Sequence, residues 1–505
     1  MTRTDIESPP ASPHAPAEAP APRRSVASTL LRNSWVLAIM VAIVTLATVF
    51  GGRTDDSVTE PPPAWLGASK NWLALAVLAA TLVGIATEVV HRTWCALVGA
   101  SLMMGLLLWV EGAPSLGKVV SWIDDSTVCL LFGMMVIVGR LADTGAFEVL
   151  GAAIVRFSGG RMWVLSTTFM LAVAFVSAWL DNVTTMLLVT PVTLTTMRRC
   201  GKDPAPLLMA LAFASNLGGA ATMVGDPPAL IIGTALAAHI GFVDFIVNMA
   251  PGVIVATAFV VPMLTFCIFR GTLTGPIENY EEVLATAREY RITDWPLMAK
   301  SVYVTAAVFA GFLLHPVHHV DPAWFALLGA VILCVSDRPG ETETALKGVE
   351  WDMLLFFAGL FVAVEAAIEV GTIDMIAGWI EAAVAASPDG ARTIVAIQIV
   401  MWVAALASGF LGNIPFTIAM VPVISRMAAA GLGLDIAVLA WALNFGACFG
   451  GNLTPVGSGA GVVAVGMARK EGVEIGFGRW TGPGAVVTIV SVALADAWLL
   501  LRFCV

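Results

Sequence analysis

Four short polar runs interrupt otherwise apolar sequence. Asp181-Asn182-Val183-Thr184-Thr185 and Asn413-Ile414-Pro415-Phe416-Thr417 lie near the middle of apolar stretches at 162–197 and 393–430. SNLGGAATMVGDPPALIIG (215–233) and GGNLTPVGSGAG (450–461) set paired glycines ahead of Asp226-Pro227 and of Ser458. Carboxylate, amide and hydroxyl oxygens dominate these runs, so the chemistry on offer is the holding of an ion. Gly218 and Gly219 stop one helix. Asp226 is an N-cap type, and Pro227 fits a first helical position, where no N–H is needed. A break of that kind exposes carbonyls to a cation and N–H dipoles to an anion. Asn452, Thr454 and Ser458 offer the same groups in the second break.

These runs must be positioned by helices in a bilayer. The 505 residues are 58% hydrophobic and 12% charged, against roughly 25% charged in a soluble domain. Spans long enough for about 30 Å of hydrocarbon appear at 34–50, 72–90, 93–110, 127–143, 250–269, 297–315, 322–336, 351–370 and 480–501. We read 162–197 and 393–430 as re-entrant hairpins and 204–238 and 436–468 as broken spans. The expected fold is therefore an all-α polytopic membrane protein with about 11 transmembrane helices and two hairpins. Basic residues set its orientation: with the N-terminus cytoplasmic and the C-terminus outside, only Arg53, Lys70, Lys118, Arg392, Arg426 and Arg502 of the 26 fall outside.

The two halves echo each other. LLFGMMVIVGRLADTGAFEVLG (130–151) aligns without gaps to FFAGLFVAVEAAIEVGTIDMIA (356–377), AWLDNVTTMLLVTPV (178–192) to GFLGNIPFTIAMVPV (409–423), and GGAATMVGDPPAL (218–230) to GGNLTPVGSGAGV (450–462). Matched elements enter the membrane from opposite sides, which makes this an inverted repeat. Paired interruptions in such repeats point to a transporter's substrate site. The organisation is a disordered cytoplasmic tail (1–30), a first span with its outer loop (31–71), repeat 1 (72–270), a cytoplasmic linker (271–296) and repeat 2 (297–505).

Caps and kinks alone account for any single Asn or Thr here, and capping alone accounts for Asp226 as well as an ion site does. The symmetric pairing of all four runs favours a site. Asp181 is the sharpest candidate, because an intramembrane carboxylate is costly. Glu365 and Glu369 read as structurally paired or close to the outer interface rather than as a proton relay, Asp496 as able to snorkel outward, HPVHHVD (315–321) as a solvated loop and ENYEEVLATAREYR (278–291) as a surface helix. Seven scattered cysteines without a CxxC pair exclude a zinc or disulfide framework. No ATP-binding GxxxxGK[ST] loop occurs, and nothing points to nucleic acid.

At the four runs the sequence resembles the ion transporter superfamily of arsenite permeases, D-type sodium–proton antiporters and the melanosomal P protein. LDNVTTMLLVTPVT (180–193), SNLGGAATMVGDPPALII (215–232), NIPFTIAMVPV (413–423) and WALNFGACFGGNLTPVGS (441–458) look most like the P protein branch. The resemblance spans most of 72–500. It implies an elevator-type transporter whose hairpins and breaks move against a dimerising scaffold. It also implies substrate and ion ligands at Asp181, Asn182, Thr184, Gly218, Gly219, Thr222, Asp226, Asn413, Thr417, Asn452, Thr454 and Ser458, to which tip position adds Thr185. Relatives commonly carry Asp-Asn at the second tip, where Gly412 stands here.

The reading is a secondary active transporter of the plasma membrane, not an enzyme. It would couple a small ion to Na⁺ or H⁺, with Na⁺ at Asp181 and Asn182 and no other metal or cofactor. Sodium–proton antiport and small-anion transport are rivals within it. Arsenite or antimonite efflux, with an accessory ATPase, is the alternative. A channel fits less well, because breaks at mid-membrane in both halves suit alternating access. An aspartyl protease built on Asp181 and Asp226 lacks a surrounding catalytic motif.

Overall fold

A computed structural model of the chain describes residues 64–87, 90–110, 112, 114–336 and 342–504. The expected tail and the span at 34–50 lie outside the described residues. Among the described residues every regular element is helical. Eight helices among the described residues are long and apolar enough to cross a membrane; they include Asp389–Leu411, which contains the first arm of the second hairpin.

The helix order runs twice. In the first half α1 (Ala64–Thr87) and α2 (Arg92–Val110) precede α3 (Asp125–Ala142) and α4 (Ala146–Ser158). A hairpin of α5 (Met162–Ser177) and α6 (Asn182–Arg199) comes next. It leads to a broken element of α7 (Ala205–Gly219) and α8 (Pro227–Ala235), then to α9 (Phe242–Pro262). A surface helix, α10 (Tyr280–Ala287), lies between the halves. It buries Val283 and Ala287 and turns its charges outward. The second half repeats the order as α11 (Trp295–Leu313), α12 (Pro322–Ser336), α13 (Trp351–Val370), α14 (Thr372–Ala385), α15 (Arg392–Leu411), α16 (Asn413–Ala429), α17 (Ile436–Gly450), α18 (Gly459–Lys470) and α19 (Phe477–Phe503).

Matched residues make matched turns and contacts. Gly145 and Gly371, both at positive φ, turn α3 into α4 and α13 into α14. Pro191 and Pro422 lie at equivalent places inside α6 and α16. A Cβ on Gly133 would strike the Ala326 backbone, and one on Gly359 would press tightly on the backbone of Ala96 and Leu97. Glycine thus lets α3 close on α12 and α13 close on α2. Likewise Gly218 approaches the Ala174 carbonyl and Gly450 the Ala405 carbonyl, seating each broken helix on the first arm of its own hairpin.

Two of the half-buried acids singled out from sequence have partners. Glu369 meets Lys118 at 2.8 Å, a structural pairing as expected for that glutamate. Asp496 is not snorkelled outward: both of its oxygens accept from the Gln398 amide at 2.6 and 2.7 Å. In the histidine loop, His318 bonds the Gly311 carbonyl and accepts from the Val320 N–H. Among the described residues no His/Cys/Asp/Glu cluster suits a metal ion.

Candidate functional site

The four interruptions meet in the interior. Each hairpin is clasped to its break by the same two hydroxyl bonds. Ser177 Oγ donates to the Ser215 carbonyl and Ser408 Oγ to the Ala447 carbonyl. Thr222 Oγ1 donates to the Ala178 carbonyl and Thr454 Oγ1 to the Gly409 carbonyl. These two threonines therefore spend their hydroxyls on the clasp. Thr417 spends its own on the Asn413 carbonyl, one turn back in α16.

The polar side chains then cross from one repeat to the other. Asn182 Nδ2 donates to Asn216 Oδ1 at 3.0 Å, and Asn216 Nδ2 donates to Asn452 Oδ1 and Ser458 Oγ, each at 2.8 Å. Asn413 Nδ2 donates to Asp226 Oδ1 at 3.0 Å, and Asn182 and Cys448 lie beside that carboxyl. Asn444 Nδ2 reaches the Ala220 carbonyl at 3.3 Å. Trp480 holds the Asn452 carbonyl through its indole N–H at 3.0 Å. Asp226, Asn452 and Asn216 are fully buried, and Asn182, Asn413 and Ser458 nearly so.

Of the two aspartates placed before helix starts, only one caps. Asp226 precedes α8 in extended geometry, but its side chain caps nothing. Asp181 is the cap: its Oδ1 accepts the Val183 and Thr184 N–H groups, both at 2.9 Å. It is half-buried, at the edge of the seam, whereas Asp226 is at its centre. Asp226 Oδ2, Asn182 Oδ1, Thr185 Oγ1 and Asn452 Nδ2 are buried and have no hydrogen-bond partner. A buried unpaired polar atom costs roughly 1–3 kcal/mol, so a ligand that paired with these atoms would be favoured by that much at each.

Glycines at the breaks serve geometry. Gly218 is still helical and packs closely, while Gly219 ends α7 and approaches the Gly225 carbonyl. Gly412 has φ +90 and ψ 143, a region essentially reserved for glycine. An aspartate at this position would be strained on that backbone. The Asn413 N–H instead bonds the Gly457 carbonyl at 3.0 Å, pinning tip to break.

Asn216, Asn444, Ser177 and Ser215 join the site without having been singled out from sequence. Asn216 stands two residues before the glycine pair, and a polar residue beside a break was the available signal.

A polytopic helical protein with a repeated helix order, its polar residues gathered where broken helices cross, is a membrane transporter. The citrate transporter family profile matches residues 82–446, and the chain belongs to that family, within the ion transporter superfamily. An uncharacterised transporter of Mycobacterium tuberculosis is 38% identical over 432 residues, covering 85% of this chain and 98% of the relative. The 46 kDa membrane protein of Mycobacterium leprae is 36% identical, over 86% and 99%. The human P protein is 33% identical over 85% of this chain and 59% of its own length. In fold, the chain is similar to the crystal structure of the YdaH transporter of Alcanivorax borkumensis. That match has a TM-score of 0.50 and 17% identity, and covers 88% of this chain and 99% of the other.

Proposed function

We propose that the chain is a secondary active ion transporter of the plasma membrane, working by alternating access and coupling a small ion to Na⁺ or H⁺. The observation that carries this reading is the buried seam at the crossing of both hairpin tips and both breaks, with Asp226 at its centre. Asp226 Oδ2 and Asn182 Oδ1 are hard oxygen donors without partners, the type that holds Na⁺ or, at the carboxylate, a proton. Thr185 lies one helical turn beyond Asn182 on the same face of α6 and supplies a third. Asp181 acts from the edge of the seam, fixing the tip through its cap.

The two hairpins and two broken helices form the moving body, and α1–α3 with α11–α13 form the scaffold. The test is proton movement in everted vesicles holding a pH gradient, with Na⁺, Li⁺, arsenite and small carboxylates added in turn. A gradient that collapses for wild type but holds for Asp226→Asn supports the reading. Wild-type vesicles indifferent to every ion would defeat it.

A further inference from the structure

The polar seam has two corners that match in sequence and backbone but are filled by different side chains. The gapless match of the breaks pairs Asp226 with Ser458, and carried two residues back it pairs Asn216 with Cys448. The match of the tips pairs Asn182 with Asn413. Asp226 and Ser458 share one extended backbone, at φ −143, ψ 137 and φ −146, ψ 153, and each stands immediately before a half-helix.

In the first corner a tip amide, Asn413 Nδ2, donates to Asp226 Oδ1 at 3.0 Å, with Cys448 alongside. The thiol is 3.4 Å from Asn444 Oδ1, and Asp226 Oδ2 has no partner. The second corner gathers Ser458, Asn182 and, at the place of the thiol, Asn216. Asn216 Nδ2 donates to Ser458 Oγ and Asn452 Oδ1, each at 2.8 Å, while Asn216 Oδ1 accepts from Asn182 Nδ2 at 3.0 Å. A hydroxyl and an amide oxygen of the opposite repeat thus converge on one buried –NH₂ group.

Oxygens converging on a buried point are the ligands of a small hard cation. Every side chain in this second corner is neutral, so a cation there would bring an unbalanced charge into the bilayer, which is costly. The Asn216 amide offers the same oxygens its donor hydrogens at no net charge. In the first corner the carboxylate supplies both the countercharge and an oxygen still unpaired.

We infer that the Asn216 amide stands where a second cation would otherwise be held, and so limits the chain to one cation per cycle, at Asp226. The inference rests on the ion-transporter reading above and adds the coupling count and the residue that sets it. Changing Asn216→Cys and Ser458→Asp together copies the first corner into the second. That double variant removes the amide and supplies the countercharge, on a backbone that already carries an aspartate at the matched position.

The experiment counts radiolabelled Na⁺ bound at saturation per chain, with purified protein in lipid nanodiscs and alkaline buffer. Wild type binds one Na⁺ without cooperativity, Asp226→Asn binds none, and the double variant binds two. Two Na⁺ on wild type overturn the inference, as does one retained by Asp226→Asn, since either places a cation in the neutral corner. A double variant that melts as a folded protein yet binds only one also overturns it. Should that variant fail to fold, the wild-type and Asp226→Asn counts decide. If wild type binds no Na⁺ yet collapses the vesicle gradient, the inference fails and the transporter reading stands. If it does neither, both fail.

Discussion

Asp226 and Asp181 show what a residue's type reveals and what it leaves hidden. An aspartate before a proline reads as a helix cap, and one beside Asn-Val-Thr-Thr reads as an intramembrane charge with a task. In the fold the first is an uncapping carboxyl held by Asn413 from the other repeat, and the second caps α6. The polarity of both was legible, since each breaks an apolar run. Their partners were not, because Asn413 is 187 residues from Asp226 and linear spacing carries no cross-repeat distance. Asn216 shows the same limit, as an amide inside a helix looks like any other core residue until Asn182, Asn452 and Ser458 surround it. One consequence is measurable. Asp226→Asn keeps the side chain's size and an oxygen for Asn413, so it is expected to leave stability within about 1 kcal/mol of wild type while losing ion coupling. Thermal unfolding in detergent reads the first effect and vesicle flux the second. A less stable variant would mean that the carboxylate serves packing.

Between elements, close approach matters more than polarity. The alignment of the two halves exposed the hairpins, breaks and matched glycines, because period and punctuation survive in sequence. It did not show which helix each glycine meets. Gly218 and Gly450 were readable as helix stops, yet a Cβ on either would strike the backbone of its hairpin arm. Gly218→Ala and Gly450→Ala are each expected to cost about 1–3 kcal/mol, with lower yield and melting temperature. Gly466→Ala, where open space surrounds the position, is the control and should behave like wild type. The hydroxyl oxygens of Thr127 on α3 and Thr234 on α8 are 2.7 Å apart, and on the proposed elevator reading this contact joins the scaffold to the moving body. Continuing the gapless matches, the counterparts are Met353 and Gly466. A bridge between Thr127→Cys and Thr234→Cys should arrest transport until reduced. A bridge between Met353→Cys and Gly466→Cys should form only when the body sits at the other end of its travel. Undiminished flux with the first bridge closed would show that these helices do not part.

At the scale of the molecule, neither repeat is complete alone. α6 packs against α18 and α16 against α8, so the second arm of each hairpin lies on the half-helix of the opposite repeat, and the polar seam is stitched across both. Synthesis, however, is sequential. At roughly 5–20 residues per second, the 187 residues between Asp226 and Asn413 take on the order of ten to forty seconds. During that interval a carboxylate, two asparagines and the clasped first hairpin are in the membrane without the groups that satisfy them. A chain stopped at residue 270 should therefore be degraded rapidly in cells, and coexpression of residues 271–505 should lengthen its half-life, as a pulse-chase would register. Equal half-lives with and without the second fragment would mean that the first half shelters its own polar groups. Otherwise, maturation of the first half is timed by the arrival of the second.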